Sequence, residues 1–182
     1  MLSLQAIGPA DLPHLAALHA ASWRSAYRGI LRDEFLDADL LGNRLALWEK
    51  RLATDPANSF GLLARQDGVP VGFAYAYPGA DAVLGCLLDN LHVLPAMKGR
   101  GIGRALMAGV CRHLIGHAPE QGLHLCVFEA NQAARGFYEA LQGEPVERQR
   151  VELRGGGTAA EWTYAWSSVP ALLAALAAPV TP

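Results

Sequence analysis

Leu91-His92-Val93-Leu94-Pro95-Ala96-Met97-Lys98-Gly99-Arg100-Gly101-Ile102-Gly103-Arg104-Ala105-Leu106 is the stretch from which the fold of this chain can be read. An apolar run breaks at Pro95, three glycines follow at alternate positions, and a helical pattern starts at Ile102 and continues to about His117. The reading is strand, turn, helix. Glycine lets backbone N–H groups approach an anion without interference from a Cβ. The helix that begins there adds free N–H groups and the positive end of its dipole. Lys98, Arg100 and Arg104 add positive charge. The expected ligand is a phosphate or diphosphate. Spacing narrows the type of site. A dinucleotide fingerprint requires Gly-x-Gly-x-x-Gly. Counted from Gly99 the last position is Arg104, and counted from Gly101 it is Leu106, so both counts fail. A Walker A loop requires Gly-x-x-x-x-Gly-Lys-Ser/Thr, and no such string occurs. The competing reading is a glycine-rich turn that only reverses the chain.

Working outward, residues 2–7 alternate apolar and polar, as a half-buried strand does. Gly8-Pro9 breaks the run, and Asp11 is placed to cap a helix striped by Leu12, Leu15 and Leu18. That helix fades between Trp23 and Gly29. A second is expected from about Asp33 to Leu52, ended by Asp55-Pro56. Phe60–Arg65, Val69–Tyr77 and Val83–Val93 read as strands, the first two joined by an Asp67-Gly68 hairpin. After the glycine turn and its helix come a strand at Leu123–Phe128 and a helix at Asn131–Leu141. A final hairpin, Val146–Leu153 and Thr158–Trp166, turns around Gly155-Gly156-Gly157, and a short apolar tail helix covers about 169–178. Three consecutive hairpin-joined strands make the sheet mixed rather than wholly parallel.

Composition sets the outer bounds. The chain has 182 residues, 52% hydrophobic and 18% charged. This is enough for one domain, residues 1–182, with a large core, and it excludes wholesale disorder. Fifteen Lys and Arg against 17 Asp and Glu lack the basic balance of a nucleic-acid binder, so no nucleic acid is expected as a partner. Cys86, Cys111 and Cys126 form no metal-binding or disulfide spacing, so no metal is expected and a reduced, cytoplasmic setting fits best. The N-terminal residues lack the pattern of a signal peptide. No uncharged apolar run reaches the ~18 residues of a membrane span. The longest, Val169 to Val180, is interrupted by Pro170 and Pro179.

With these elements in place, the chain resembles the GCN5-related N-acetyltransferase (GNAT) superfamily. Lys98-Gly99-Arg100-Gly101-Ile102-Gly103 is similar to that family's Arg/Gln-x-x-Gly-x-Gly/Ala loop, with Lys in place of the first Arg or Gln. Downstream, Asn131-Gln132-Ala133-Ala134-Arg135-Gly136-Phe137-Tyr138-Glu139-Ala140-Leu141-Gln142-Gly143 looks like the family's Asn-x-x-Ala-x-x-Phe-Tyr-x-x-x-Gly segment. The two occur in the family's order, and their joint occurrence is far more specific than either alone. The resemblance implies an α/β fold of the α+β type. Its central sheet would be mixed, mostly antiparallel, splayed between strands four and five and flanked by helices. Acetyl-coenzyme A would lie in the splay. Its diphosphate would sit on Lys98, Gly99, Arg100, Gly101, Ile102, Gly103 and Arg104, and its pantetheine arm along Leu91, His92 and Val93. Asn131 and Ala134 would face the cofactor, and Tyr138 would stand near the thioester sulfur.

The implied reaction is acyl transfer to a primary amine by direct attack in a ternary complex. The amine must shed a proton, the oxyanion needs a donor such as the N–H near Val93, and the leaving sulfur benefits from an acid. The resemblance assigns the last role to Tyr138, which otherwise reads as a core aromatic beside Phe137. Some relatives carry a basic glutamate on strand four; the matching position here is Leu87. Strict alternation puts Asp89 on the face of Leu87 and His92 on the opposite face. Asp89 is thus the candidate base, with Glu129 as a second carboxylate on the acceptor side. Trp23 and Tyr27 are candidate walls for a small amine, amino acid or peptide-like acceptor. The tail helix is a candidate edge cover or homodimer contact. The missing glutamate also motivates an alternative, a non-catalytic acyl-CoA-binding module.

Overall fold

The computed structural model describes residues 1–54, 58–118 and 120–178. The expected end of the second helix at Asp55-Pro56 lies outside the described residues, as do Pro179 and Val180. Strands β1 (Leu2–Ala6), β2 (Phe60–Gln66), β3 (Val69–Asp81), β4 (Gly85–Val93), β5 (Leu123–Phe128), β6 (Glu144–Glu152) and β7 (Thr158–Trp166) form one sheet in the order β1-β2-β3-β4-β5-β7-β6. Every neighbouring pair is antiparallel except β4–β5. Helices α1 (Leu12–Ala26) and α3 (Leu40–Thr54) cover one face, and α4 (Ile102–His117) covers the other.

Residue size on β3 sorts the two faces. Phe73 and Tyr75 point toward α1 and α3 and meet Leu15, Trp48 and Leu63. Ala74 and Ala76 point the other way, into the layer of Leu106, Met107, Val110 and Leu114 from α4. On the same face, Gly72 lets α4 come close: a Cβ there would lie 3.3 Å from Leu106 Cδ1 and 2.7 Å from the carbonyl of His92. Each of the larger of these, Phe73, Leu15, Leu63, Leu106, Met107, Val110 and Leu114, contributes about 1.5–3 kcal/mol of transfer free energy. Helix α6 (Val169–Ala177) buries Val169, Leu172 and Leu176 in the same layer and packs on α4, so the apolar face of the tail helix is covered within the chain.

Two expectations need correction. The helix expected over Asp33–Leu52 is two helices, α2 (Asp33–Asp37) and α3. Ala38 is extended, with φ −69° and ψ −166°. Asp39 then accepts the N–H of Gly42 at 2.8 Å and caps α3. The apolar period of Phe35, Leu36, Leu40 and Leu41 runs across the break and hides it. Asp11, expected to cap α1, turns its carboxylate back to the N–H of Gly8 (3.0 Å) and to Arg65 (3.1 Å) and makes no cap bond.

The parallel pair positions the site. β4 and β5 are in register only at Cys86–Leu123 and Leu87–His124, and beyond Leu87 the strands part. Their closed end is tight because Gly85 and Gly122 meet there. A Cβ on Gly85, whose φ is +80°, would fall 2.6 Å from the Gly122 carbonyl. The open end is a cleft of about 820 Å³.

Candidate active site

The glycine turn stands at the mouth of this cleft. Gly99 (φ +74°) and Gly101 (φ +78°) adopt left-handed backbone, and a Cβ at either would meet nothing within 4 Å. Both face open space rather than packed chain. Gly101 is the N-cap of α4, and Ala105 donates to its carbonyl at 2.9 Å. Among the described residues, none of the N–H groups from Gly99 to Arg104 donates to the protein. An amide-rich, side-chain-free cup at a helix N-terminus fits a diphosphate. Lys98 and Arg100 are exposed beside it. Ile102 is only 2% exposed and sends its side chain into the core, so its amide alone faces the cup.

Arg104 departs from expectation. Its Nη2 donates to the carbonyls of Ala175 (2.9 Å), Leu176 (3.0 Å) and Ala178 (3.0 Å), closing the C-terminal end of α6. That nitrogen caps the helix, while Arg104 still lines the cleft. Arg104→Ala is expected to cost about 1.5–3 kcal/mol of stability, the usual worth of hydrogen bonds from a charged donor. It should leave diphosphate affinity almost unchanged. Paired thermal melts and calorimetry check this, and a large loss of affinity at constant melting temperature would return Arg104 to the cup.

Along the cleft, β4 pairs with β3 on one side and leaves its β5 side open beyond Leu87. Leu91, His92 and Val93 line that open edge. A register shift breaks the expected alternation. Tyr75 pairs with Asn90 and Ala76 with Leu88, which leaves Asp89 in a bulge. Asp89 and Asn90 therefore both turn to Arg51 of α3, at 2.6 and 2.7 Å. His92 lies on this same side rather than opposite Asp89. It is bonded to Ser22 Oγ at 2.9 Å and set against the His19 ring, 4.7 Å between centroids. Burial, with help from Lys98, Arg44 and Arg51, pushes the His92 imidazole down to about 3, so it is neutral at pH 7.

The other wall comes from β5, β7 and α5 (Gln132–Glu139). Asn131 caps α5 by accepting the N–H of Ala134 at 3.3 Å, and both line the cleft. Tyr138 lies in the last turn of α5, 8% exposed, with its ring against Phe137, Tyr164 and Trp166. Its hydroxyl has no hydrogen-bond partner among the described residues. Burial, then the neighbouring Tyr27, raises the Tyr138 phenol well above its ordinary value, so it stays protonated.

Trp23 and Tyr27 line the cleft, 5.3 Å apart edge to face, and Tyr27 packs on Phe128 at 5.2 Å. Leu153, from the β6–β7 loop, packs with Trp23 and Tyr27 against the buried cluster of Ala20, Leu31, Leu36 and Leu40. Glu129 does not join them. It is absent from the cleft wall, held by both oxygens on Arg148 at 2.8 Å and by the Trp162 N–H at 3.0 Å. These bonds hold its carboxyl down at about 2. The carboxylate the sequence reading missed is Glu161 of β7, which lines the cleft and pairs with Phe128 across the sheet. Burial raises its carboxyl above the ordinary range, and its charge is felt at Tyr27. Arg44, Arg51 and Arg154 were also missed.

A mixed sheet opened between β4 and β5, with an amide cup at its mouth and a protonated tyrosine within, defines an acyltransferase of the kind the motifs resemble. A family profile described as acetyltransferase (GNAT) family matches residues 16–143, and the chain belongs to that family. A probable N-acetyltransferase of Mycobacterium tuberculosis is 31% identical over 141 residues, covering 76% of this chain and 77% of that protein. An aminoglycoside N(6')-acetyltransferase type 1 of Salmonella enteritidis is 32% identical over 108 residues, covering 56% of this chain and 70% of that protein. Among solved structures, a GCN5-related N-acetyltransferase from Rhodopseudomonas palustris superposes with a TM-score of 0.68 at 25% identity, covering 90% and 93% of the two chains. The PaiA N-acetyltransferase of Thermoplasma acidophilum, in complex with coenzyme A, gives 0.65 at 19% identity, covering 88% and 98%. Among the described residues no helix is long and apolar enough to cross a membrane, and no cluster of metal-ligating side chains occurs.

Proposed function

We propose that residues 1–182 form one N-acetyltransferase domain that moves the acetyl group of acetyl-CoA to the primary amine of a small acceptor within a ternary complex. The observation that carries this is the cup of unpaired amides from Gly99 to Arg104, opening onto a strand edge that leads to Tyr138. The cup would hold the diphosphate, the free edge of β4 the pantetheine arm, and Asn131 and Ala134 the opposite side of that arm. Acetyl-CoA supplies an acyl group on a good leaving sulfur. The amine nitrogen forms the new N–C bond as the C–S bond breaks. The N–H of the β4 backbone near Val93 is placed to donate to the developing oxyanion, and Tyr138 donates toward the sulfur.

Asp89 is committed to Arg51 by its bulge, so Glu161 is the better placed proton acceptor, directly or through water. A base must be ionised to act, so kcat/KM rises with pH as Glu161 loses its proton. Burial moves that limb above the ordinary carboxylate range. Glu161→Gln should flatten the acid limb and lower kcat/KM by roughly 10²-fold. An unaltered pH profile in the variant would remove Glu161 from the role. The three cysteines, all free, suit a reducing compartment, and we place the protein in the cytoplasm on that basis. Release of free thiol from acetyl-CoA over a panel of amines tests the reading as a whole. No release with any amine, together with no binding of coenzyme A by calorimetry, would refute it.

A further inference from the structure

The acceptor end of the cleft holds a buried cation with no anion beside it. Arg44 of α3 is 1% exposed, and its guanidinium lies over the Trp23 ring, 4.2 Å from the centroid. It donates to the Asn43 side chain. Among the described residues its Nε–H has no partner and no carboxylate pairs with it. Burial, with help from the charges of Arg154 and Arg51, pushes the Arg44 guanidinium down to about 10. Two further buried N–H groups stand with it. Trp23 Nε1 has no partner. His19, 1% exposed, accepts the Trp48 indole N–H on Nδ1 at 3.1 Å. An indole N–H only donates, so Nδ1 is the lone-pair nitrogen. Burial and the surrounding cations keep the ring neutral, so its proton lies on Nε2, which has no partner.

Arg44, Trp23 and His19 all line the cleft. Between them they hold three unmatched N–H donors, each closed to water, and one positive charge with no carboxylate beside it among the described residues. A guanidinium buried without a counter-charge is costly to the free protein. That cost is offset where a bound molecule brings the missing anion. A carboxylate matches in shape and charge, because the guanidinium is a planar fork and one negative charge balances one positive. A phosphate monoester would bring nearly two. The Tyr27 ring separates this spot from the β5 end of the cleft, at 5.3 Å from Trp23 and 5.2 Å from Phe128.

We infer that Arg44, Trp23 and His19 recognise a carboxylate on the acceptor, so that the amine acetylated here belongs to an amino acid or short peptide whose acid group lies away from the reacting nitrogen. This deepens the N-acetyltransferase reading and rests on it.

The test compares ω-amino acids and glycyl dipeptides with their C-terminal amides, in steady-state kinetics with acetyl-CoA. The acids should exceed the amides in kcat/KM by roughly 100-fold, as expected when a buried charge loses its partner. Arg44→Gln should erase that preference by raising KM for the acids with little change in kcat. Trp23→Phe, which keeps the ring and deletes one donor, should shift KM the same way by less. Arg44→Gln removes an unpaired buried charge, so its melting temperature should equal or exceed that of the parent, and the variant remains readable. Calorimetry of acids and amides with the CoA-bound protein gives a readout independent of turnover. Binding of acids that is lost in Arg44→Gln, with no acetyl transfer, upholds the carboxylate site and removes the transferase reading. Transfer that treats acids and amides alike overturns the carboxylate site and leaves the transferase reading standing. Preference for an aminoglycoside, or for a phosphorylated amine such as phosphoethanolamine, over every acid also overturns it.

Discussion

Replacing Tyr138 by phenylalanine lowers kcat by roughly 10²–10³-fold, the usual loss when one preorganised donor to a developing charge is deleted. The geometry explains both the size of the effect and its confinement to kcat. The phenol is buried against Phe137, Tyr164 and Trp166, and its pKa is raised, so it is protonated throughout any practical pH range. A thiolate leaving group of pKa near ~8.5 holds a proton less tightly than this phenol. On the proposed mechanism Tyr138 would therefore act chiefly as a hydrogen-bond donor whose interaction strengthens as charge builds on sulfur. Such an interaction is worth little in the ground state, so affinity for coenzyme A should hardly move. Stability should hold too, because no described residue bonds to the hydroxyl and phenylalanine keeps the ring contacts. Stopped-flow or steady-state thiol release, with calorimetry for the thiol nucleotide, makes the comparison. A variant with the parent's kcat would show that Tyr138 is only a packing residue.

Gly101→Glu abolishes coenzyme A binding at concentrations that saturate the parent. Two causes add. At φ +78° an L side chain is strained by about 1–2 kcal/mol. The new carboxylate also starts from a Cβ position open toward the cup, and puts a negative charge where the diphosphate is to lie. Gly101→Ala separates the two, since it carries the strain without the charge. The alanine variant should weaken binding by roughly 10-fold and the glutamate variant by more than ~10³-fold. Both variants should stay folded, because the Cβ meets no packed atom. If the glutamate variant binds coenzyme A as the parent does, the diphosphate is held elsewhere.

What could be read from the sequence was whatever is decided by near neighbours along the chain. The turn at Lys98–Gly103, the start of α4 at Ile102 and the Asn131 cap of α5 depend on backbone torsions and hydrogen bonds between residues a few positions apart. The hairpin at Asp67-Gly68 belongs with them, as both residues have positive φ. The α2–α3 break was hidden because its signal, Asp39 as a cap, is one polar residue inside an unbroken apolar period.

The chemistry of the cleft was only partly legible. Tyr138, which lines the cleft, sits in a motif and was singled out by it. Glu161 sits in none: it belongs to an alternating strand, and only the pairing of β5 with β7 carries it to the cleft wall. Glu129 read as a site residue because of where it stands in the chain, yet Arg148 holds it outside the cleft wall, and Arg104, which does line the cleft, also caps α6 through one nitrogen.

By itself, then, the order of residues determined the family, most of the element order and the glycine turn, since these rest on local geometry that few residue types can satisfy. Tertiary structure alone decided which charges meet. The Asp89 bulge, the Arg51 pairing and the unmatched Arg44 arise where α1, α3 and β4 pack together, and a charge has no fixed partner until that packing sets its distances and removes its water.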